Sequence, residues 1–106
     1  ATLDSGRMDL STLVGATSYN ISKHYGLQPR KGGIWPGADA DLVVVDPDER
    51  TEVRAEDLHH PADFTPFEGR ELVFPELTLS RGEVVFEDGT VTGDPGRATF
   101  LERPNP

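Results

Sequence analysis

The chain has 106 residues, with ten Lys and Arg against nineteen Asp and Glu, a formal net charge of −9, and no cysteine. That length holds one domain burying roughly two thirds of its unfolded surface, and not a large enzyme. The negative balance repels phosphate backbones and anionic membranes, and the missing thiols exclude disulfides, thiol catalysis and Cys-based zinc or iron–sulfur sites.

Hydrophobic residues make up 35% of the chain, while eleven glycines and nine prolines favour short strands and many turns. No stretch approaches the length of a bilayer span, and the first residues lack the basic and apolar regions of a signal peptide. A cytoplasmic location is therefore expected, consistent with the absence of cysteine.

Residues 1–8 are small and polar apart from Leu3 and Met8, and read as a flexible end. From Asp9 the pattern changes: Leu10, Leu13, Val14 and Thr17 recur at helical spacing, predicting a helix from about 10 to 18 with Asp9 or Ser11 as N-cap. Asn20 is expected to cap a second short turn over Ile21–Tyr25, which Gly26 ends from the position after the cap. These two pieces form a helical unit over 9–27.

After Pro29–Gly33 the helical period stops and β-branched runs between turn residues take over, giving a strand region over 28–95. Ile34–Trp35 reads as a short strand, Pro36–Gly37 as a turn, and Leu42–Val45 as a strand apolar on both faces. Asp46–Pro47–Asp48 reads as a turn, and Thr51–Arg54 as the hairpin partner of the preceding strand. Residues 55–71 read as an ordered loop. Strands follow at Leu72–Phe74, Leu77–Ser80, Glu83–Glu87 and Thr90–Thr92, with tight connections at Arg81–Gly82 and Asp88–Gly89. The tail over 96–106 offers Phe100 and Leu101 as its anchors.

Three groups could carry chemistry. Asp39, Asp41 and Asp46 flank the aliphatic strand, but a calcium loop needs further ligands and a glycine at fixed offsets. They read instead as turn builders, Asp39 and Asp41 bonding turn amides and Asp46–Pro47 starting the next turn. His59 and His60, with Asp57 and Asp63, are the densest set of metal donors. Adjacent histidines on an extended segment point to opposite faces, so the set does not converge by itself. His24 suits a helix end, where a cationic ring meets the dipole. Five serines accompany these histidines without a GxSxG elbow or an SxxK motif. Neither phosphate-binding glycine motif is present, and Arg30–Gly33 is at most a weak anion nest. Trp35, the single tryptophan, reads as a core or interface residue. No catalytic and no metal-binding residue is expected in this chain.

The order of the pieces is itself informative. The segments TSYNISKHYGL (17–27), PRKGGI (29–34) and GADADLVVVD (37–46) resemble the C-terminal region of the amidohydrolase superfamily, more narrowly the cyclic amidohydrolases that include dihydropyrimidinase, hydantoinase, allantoinase and dihydroorotase. HHPADFTPFEG (59–69), SRGEVV (80–85) and GRATFL (96–101) resemble the dihydropyrimidinase and hydantoinase branch. Together these cover about residues 9 to 103, with Ile21 standing where the family commonly has proline.

The resemblance implies a fold class that is mainly β with an N-terminal helix: the last barrel helix, then the C-terminal part of a composite β-sandwich flanking a TIM barrel. It implies a parent enzyme that hydrolyses ring amides such as hydantoins or dihydropyrimidines, using two divalent, zinc-like metals and a carboxylated lysine. The ligands of such a centre, an early His-x-His pair, the lysine, two later histidines and an aspartate, are implied upstream of this segment, and none maps to a residue here. The segment itself is expected to serve stability and oligomer contacts, with Phe100, Leu101 and Arg103 as candidate subunit contacts. Its implied partners are the earlier sandwich strands, the barrel, and further copies in a homo-oligomer. Two rival readings stand beside this one: a stand-alone, non-enzymatic interaction module related to dihydropyrimidinase-like proteins, and a small metal-binding domain using Asp57, His59, His60 and Asp63.

Overall fold

The computed structural model describes residues 5–103. Of the expected flexible end over 1–8, the first four positions lie outside the described residues, as do the last three of the tail over 96–106.

The helical unit is continuous. Asp9 caps α1 (Leu10–Val14), its Oδ1 accepting from the Thr12 amide at 2.8 Å. A π-helical turn, Gly15–Tyr19, then leads into α2 (Asn20–His24) without a break. Asn20 is therefore not the expected second cap: its φ of −69° and ψ of −34° are helical, and its amide donates to the Gly15 carbonyl five residues back. The wider turn absorbs the register change that sequence alone reads as an interruption. Gly26 ends the helix as expected, with its amide on Lys23 O at 3.2 Å and that of Leu27 on Ser22 O at 2.8 Å, the paired bonds of a Schellman motif.

The expected strand at Ile34–Trp35 does not form. The Trp35 ring folds back, its Nε1 donating to Pro29 O at 2.7 Å and its ring meeting the edge of Tyr19 at 6.3 Å. It lies so close over Gly33 that a Cβ there would come within 1.8 Å of the ring. Pro36–Gly37 makes its turn, with the Ala38 amide on Trp35 O at 3.1 Å.

Among the described residues six strands follow: β1 (Leu42–Val44), β2 (Thr51–Glu52), β3 (Glu71–Leu72), β4 (Leu77–Ser80), β5 (Glu83–Glu87) and β6 (Thr90–Val91). They form a four-stranded sheet in the order β1-β4-β5-β6 and a separate pair, β2-β3. The expected β1–β2 hairpin is absent. β1 instead pairs antiparallel with β4, setting Leu42 opposite Leu79 and Val44 opposite Leu77. The aliphatic β1 gains more from facing Leu77 and Leu79 than from facing Thr51 and Glu52. The Asp46 turn, with Asp48 N on Asp46 Oδ1 at 3.0 Å and Glu49 N on Asp46 O at 3.1 Å, leads the chain away. Residues 55–71 are mostly loop, beginning with a 3-10 turn at Ala55–Asp57.

β4 and β5 have the expected bounds. The β4–β5 and β5–β6 connections are two-residue turns with both residues at positive φ, 50° and 79° at Arg81–Gly82 and 48° and 84° at Asp88–Gly89. That is the turn whose twist matches paired strands.

The core is small for this length. Among the described residues, Val53 and Ala55 are the buried hydrophobics and Ser22 the buried polar residue, with no large side chain fully enclosed. The helical stripe is open, with Leu10 at 63% exposure. The accessible surface is 8397 Å², against about 5,800 Å² for a compact monomer of this mass. The radius of gyration is 15.8 Å, against about 13 Å for a compact chain of this length.

Candidate functional site

Two features gather the polar chemistry of the fold. The first is a chain of ionic contacts binding the helical unit to the sheet. Asp39 Oδ2 takes Arg30 Nε and Lys31 Nζ, each at 2.9 Å. Asp41 Oδ2 takes Lys31 Nζ at 2.5 Å, while its Oδ1 accepts from the Arg81 backbone amide at 2.9 Å. Asp41 thus builds a turn as expected, though the turn lies forty residues away; Asp39 is held by two cations and not by turn amides. Hydrogen bonds from Lys31 and then Arg30 hold the Asp39 carboxyl below its usual value. At Asp41, partial burial raises the value, but Lys31 and the Arg81 amide outweigh it and the carboxyl is lowered. Lys31 mirrors this: burial lowers its value, and the two carboxylates raise it above the ordinary lysine value.

Arg81 extends the chain to the tail. Its guanidinium donates to the Arg97 carbonyl and to Thr99 Oγ1, while Arg97 holds Glu83 Oε2 and Ser80 O, each at 2.8 Å. The tail beyond this clasp carries all three candidate contact residues. Phe100 is 87% exposed, Leu101 is half-buried, and the Arg103 guanidinium lies 5.3 Å from the Tyr25 ring centroid.

The second feature is an open groove of about 690 Å³ between the two sheets. Leu58, Phe74, Pro75 and Phe86 give it apolar walls, and Glu49, Glu52, Asp57, Glu76 and Asp88 line it with carboxylates. Of the expected metal-donor set, Asp57 and His59 line this groove, His59 standing edge-on to Phe86 at 5.9 Å. Asp63 lines a separate depression beside Phe64 and Glu68. His60 is exposed and lines neither. The four are not brought together.

The carboxylates that do converge among the described residues are Asp46, Glu49 and Glu76, with oxygens within 4.8 Å of one another. The hydrogen bond with Glu49 keeps the Glu76 carboxyl above its usual value. Sequence reasoning passed over Glu49 and Glu76. Their meeting depends on Glu76 N reaching Val44 O at 2.8 Å, a long-range contact that no local pattern announces. The buried Ser22 hydroxyl is structural, donating to Tyr19 O at 2.8 Å and accepting from Gln28 Nε2 at 3.1 Å.

Comparison with known proteins agrees with this geometry. The sequence profile of the Amidohydrolase family matches residues 2–86. A dihydroorotase of Methanosarcina acetivorans is 47% identical over 96 residues, covering 90% of this chain and 21% of that protein. A D-phenylhydantoinase of Escherichia coli O1:K1 is 42% identical over 100 residues, covering 93% and 22%. Among solved structures, the D-hydantoinase (dihydropyrimidinase) from Thermus sp. superposes with a TM-score of 0.90 at 39% identity, covering 95% of this chain and 22% of that one. The dihydropyrimidinase from Brevibacillus agri gives 0.92 at 32%, covering 96% and 22%. The chain spans about a fifth of the length of these relatives. It belongs to the amidohydrolase family and corresponds to a segment of the hydantoinase-type members.

Proposed function

We propose that these residues are the C-terminal, non-catalytic region of a metal-dependent cyclic amidohydrolase, an enzyme that hydrolyses a ring amide C–N bond such as that of a hydantoin or a dihydropyrimidine. The observation that carries this reading is the mismatch between surface and core. Roughly 2,600 Å² more surface is exposed than a compact chain of this mass leaves, more than one partner covers in an ordinary protein–protein contact. A fold that aligns over nearly its whole length with a fifth of a larger enzyme, and has only a small core of its own, is supported as a portion of a composite domain. β1 has β4 on one side and β2 has β3 on one side, and among the described residues neither has a strand on the other.

The donors among the described residues do not fit a two-metal hydrolytic centre. His24 stands edge-on to Tyr25 and His59 to Phe86, and neither stands with His60 in a convergent group. The metals and carboxylated lysine of the parent are accordingly assigned to other regions of the polypeptide, and no catalytic step is assigned to this chain. Its role is to cover and stiffen the catalytic barrel and, through Phe100, Leu101 and Arg103, to meet a second subunit in a cytoplasmic homo-oligomer. The net charge of −9 supports protein partners over nucleic acid or membrane.

Hydantoin and dihydrouracil hydrolysis by this chain, beside the chain with its upstream coding sequence restored and each supplied with zinc or manganese, tests the proposal. Activity is expected in the longer protein alone; turnover by the 106 residues would overturn it.

A further inference from the structure

The charge of this chain is divided unevenly along its length. Residues 9–45 hold three Asp and Glu against three Lys and Arg, a net of zero, whereas residues 46–94 hold fourteen Asp and Glu against four Arg, a net of −10. Thirteen of those fourteen are exposed and Glu76 is half-buried, so the excess lies on the surface of the strands and their loops. That stretch has no lysine, and the two lysines of the chain, Lys23 and Lys31, both precede β1.

The fold sets like charges against one another on both sheets. In the β2–β3 pair Glu52 stands directly opposite Glu71, a relation that puts both side chains on one face and makes like charges repel. Beside the larger sheet, the Glu76 carboxyl is held above its usual value by its hydrogen bond with Glu49 and by the charges of Glu49, Asp46 and Asp88. The arginines do not cancel this excess: Arg54 is shared between Glu52 at 3.5 Å and Glu56 at 4.0 Å, and Arg97 of the tail takes Glu83 at 2.8 Å. Relief is left to the solvent, whose screening length shrinks from about 10 Å in 0.1 M salt to about 3 Å in 1 M salt.

We propose that the strand half of this chain is built for a concentrated solution of a monovalent salt, whose hydrated cations are the partner of its carboxylate surface, and that the polypeptide loses stability in dilute buffer. Self-repulsion of a chain far from neutrality destabilises the compact state, and mobile cations remove it without a fixed partner. Mobile cations fit better than a basic protein surface because the carboxylates are spread over both sheets and the loop between β2 and β3. The absence of lysine agrees, since its long stem would add apolar surface where a short carboxylate adds none. The requirement concerns the solvent of the fold and holds whatever ring the parent enzyme opens.

Thermal unfolding of the full-length polypeptide at neutral pH and fixed scan rate tests this, in potassium chloride from about 0.1 M to about 2 M. The midpoint is expected to rise by at least about 5 °C across that range. The variant E71Q/E87Q/D94N, which removes three exposed carboxylates, is expected to unfold at a higher temperature than the unaltered protein in low salt and to lose about a third of the rise. A second variant, E71R, sets a cation opposite Glu52 and is expected to raise the low-salt midpoint by itself. A midpoint that salt leaves unchanged or lowers would overturn the proposal and assign the carboxylate surface to a basic protein partner, whose contacts salt weakens. A rise of equal size in the unaltered protein and in both variants would overturn it as well, assigning the effect of salt to other regions of the polypeptide.

Discussion

Asp41 joins two elements forty residues apart in sequence, and its environment fixes how the fold responds to acid. With Asp39 and Asp41 held below the ordinary carboxylate value, their contribution is complete above the unfolded aspartate pKa of about 3.9 and is lost as pH falls through the lowered folded values. Lys31, held above its ordinary value, contributes fully below about pH 10.4 and loses its contribution as pH rises through its folded value. D41N is expected to flatten the acid limb of a stability–pH curve below about pH 4 and to cost about 1 kcal/mol at neutral pH, a hydrogen-bond value discounted for partial exposure; urea titrations at several pH values check both. Glu76 has the opposite sign. Its raised value favours the protonated form in the folded chain, a contribution present below the unfolded glutamate pKa and lost as pH rises through the folded one. In the 106 residues alone, E76Q is therefore expected to raise the melting temperature at pH 7. At Gly33 the constraint is steric: G33A places a methyl where the Trp35 ring lies and is expected to shift the emission of this single tryptophan to the red, as the ring leaves Pro29 and Tyr19.

Among the elements, those specified by neighbouring residues were legible in the sequence. Asp9 capped the helix, Gly26 ended it, and Arg81–Gly82 and Asp88–Gly89 fixed the two hairpins, because each needs only local backbone chemistry. Three features were not legible. The π turn hides behind a plausible Asn20 cap, Trp35 folds back onto Pro29, and β1 selects β4 across more than thirty residues by apolar pairing. The candidate site shares that last difficulty, since the Asp46–Glu49–Glu76 meeting follows from the long-range placement of Glu76. β1 illustrates the consequence for behaviour: Val43 is 59% and Val44 is 45% exposed on a strand with an open edge. An exposed aliphatic edge templates further strands, and a lysine blocks that. V44K is expected to reduce self-association of the isolated chain, read by sedimentation velocity, while leaving its strand content intact.

At the scale of the whole molecule, few buried side chains hold the described residues together. V53A removes one of the two hydrophobics buried among the described residues and is expected to cost about 2 kcal/mol from two lost methyl groups and the space they leave. A loss of that size takes up a large share of the stability such a fragment can have. The isolated chain is expected to bind a hydrophobic dye, to unfold with weak cooperativity, or to dimerise, and the full-length protein to show neither the dye binding nor the weak cooperativity in this region. A stable, monodisperse monomer in analytical ultracentrifugation would contradict this.

The clasp at the tail gives the fold a mechanical path. Arg97 and Thr99 hang on the Arg81 side chain, the Arg81 amide on Asp41, Asp41 on Lys31, Lys31 N on Leu27 O, and Leu27 N on the last turn of α2. These bonds lie in series. Tension applied at the C-terminal end reaches the end of the β4–β5 hairpin at once, through Arg97 on Ser80 and Glu83 and through Arg81 in the turn, and is passed from there toward the helix by Asp41 and Lys31.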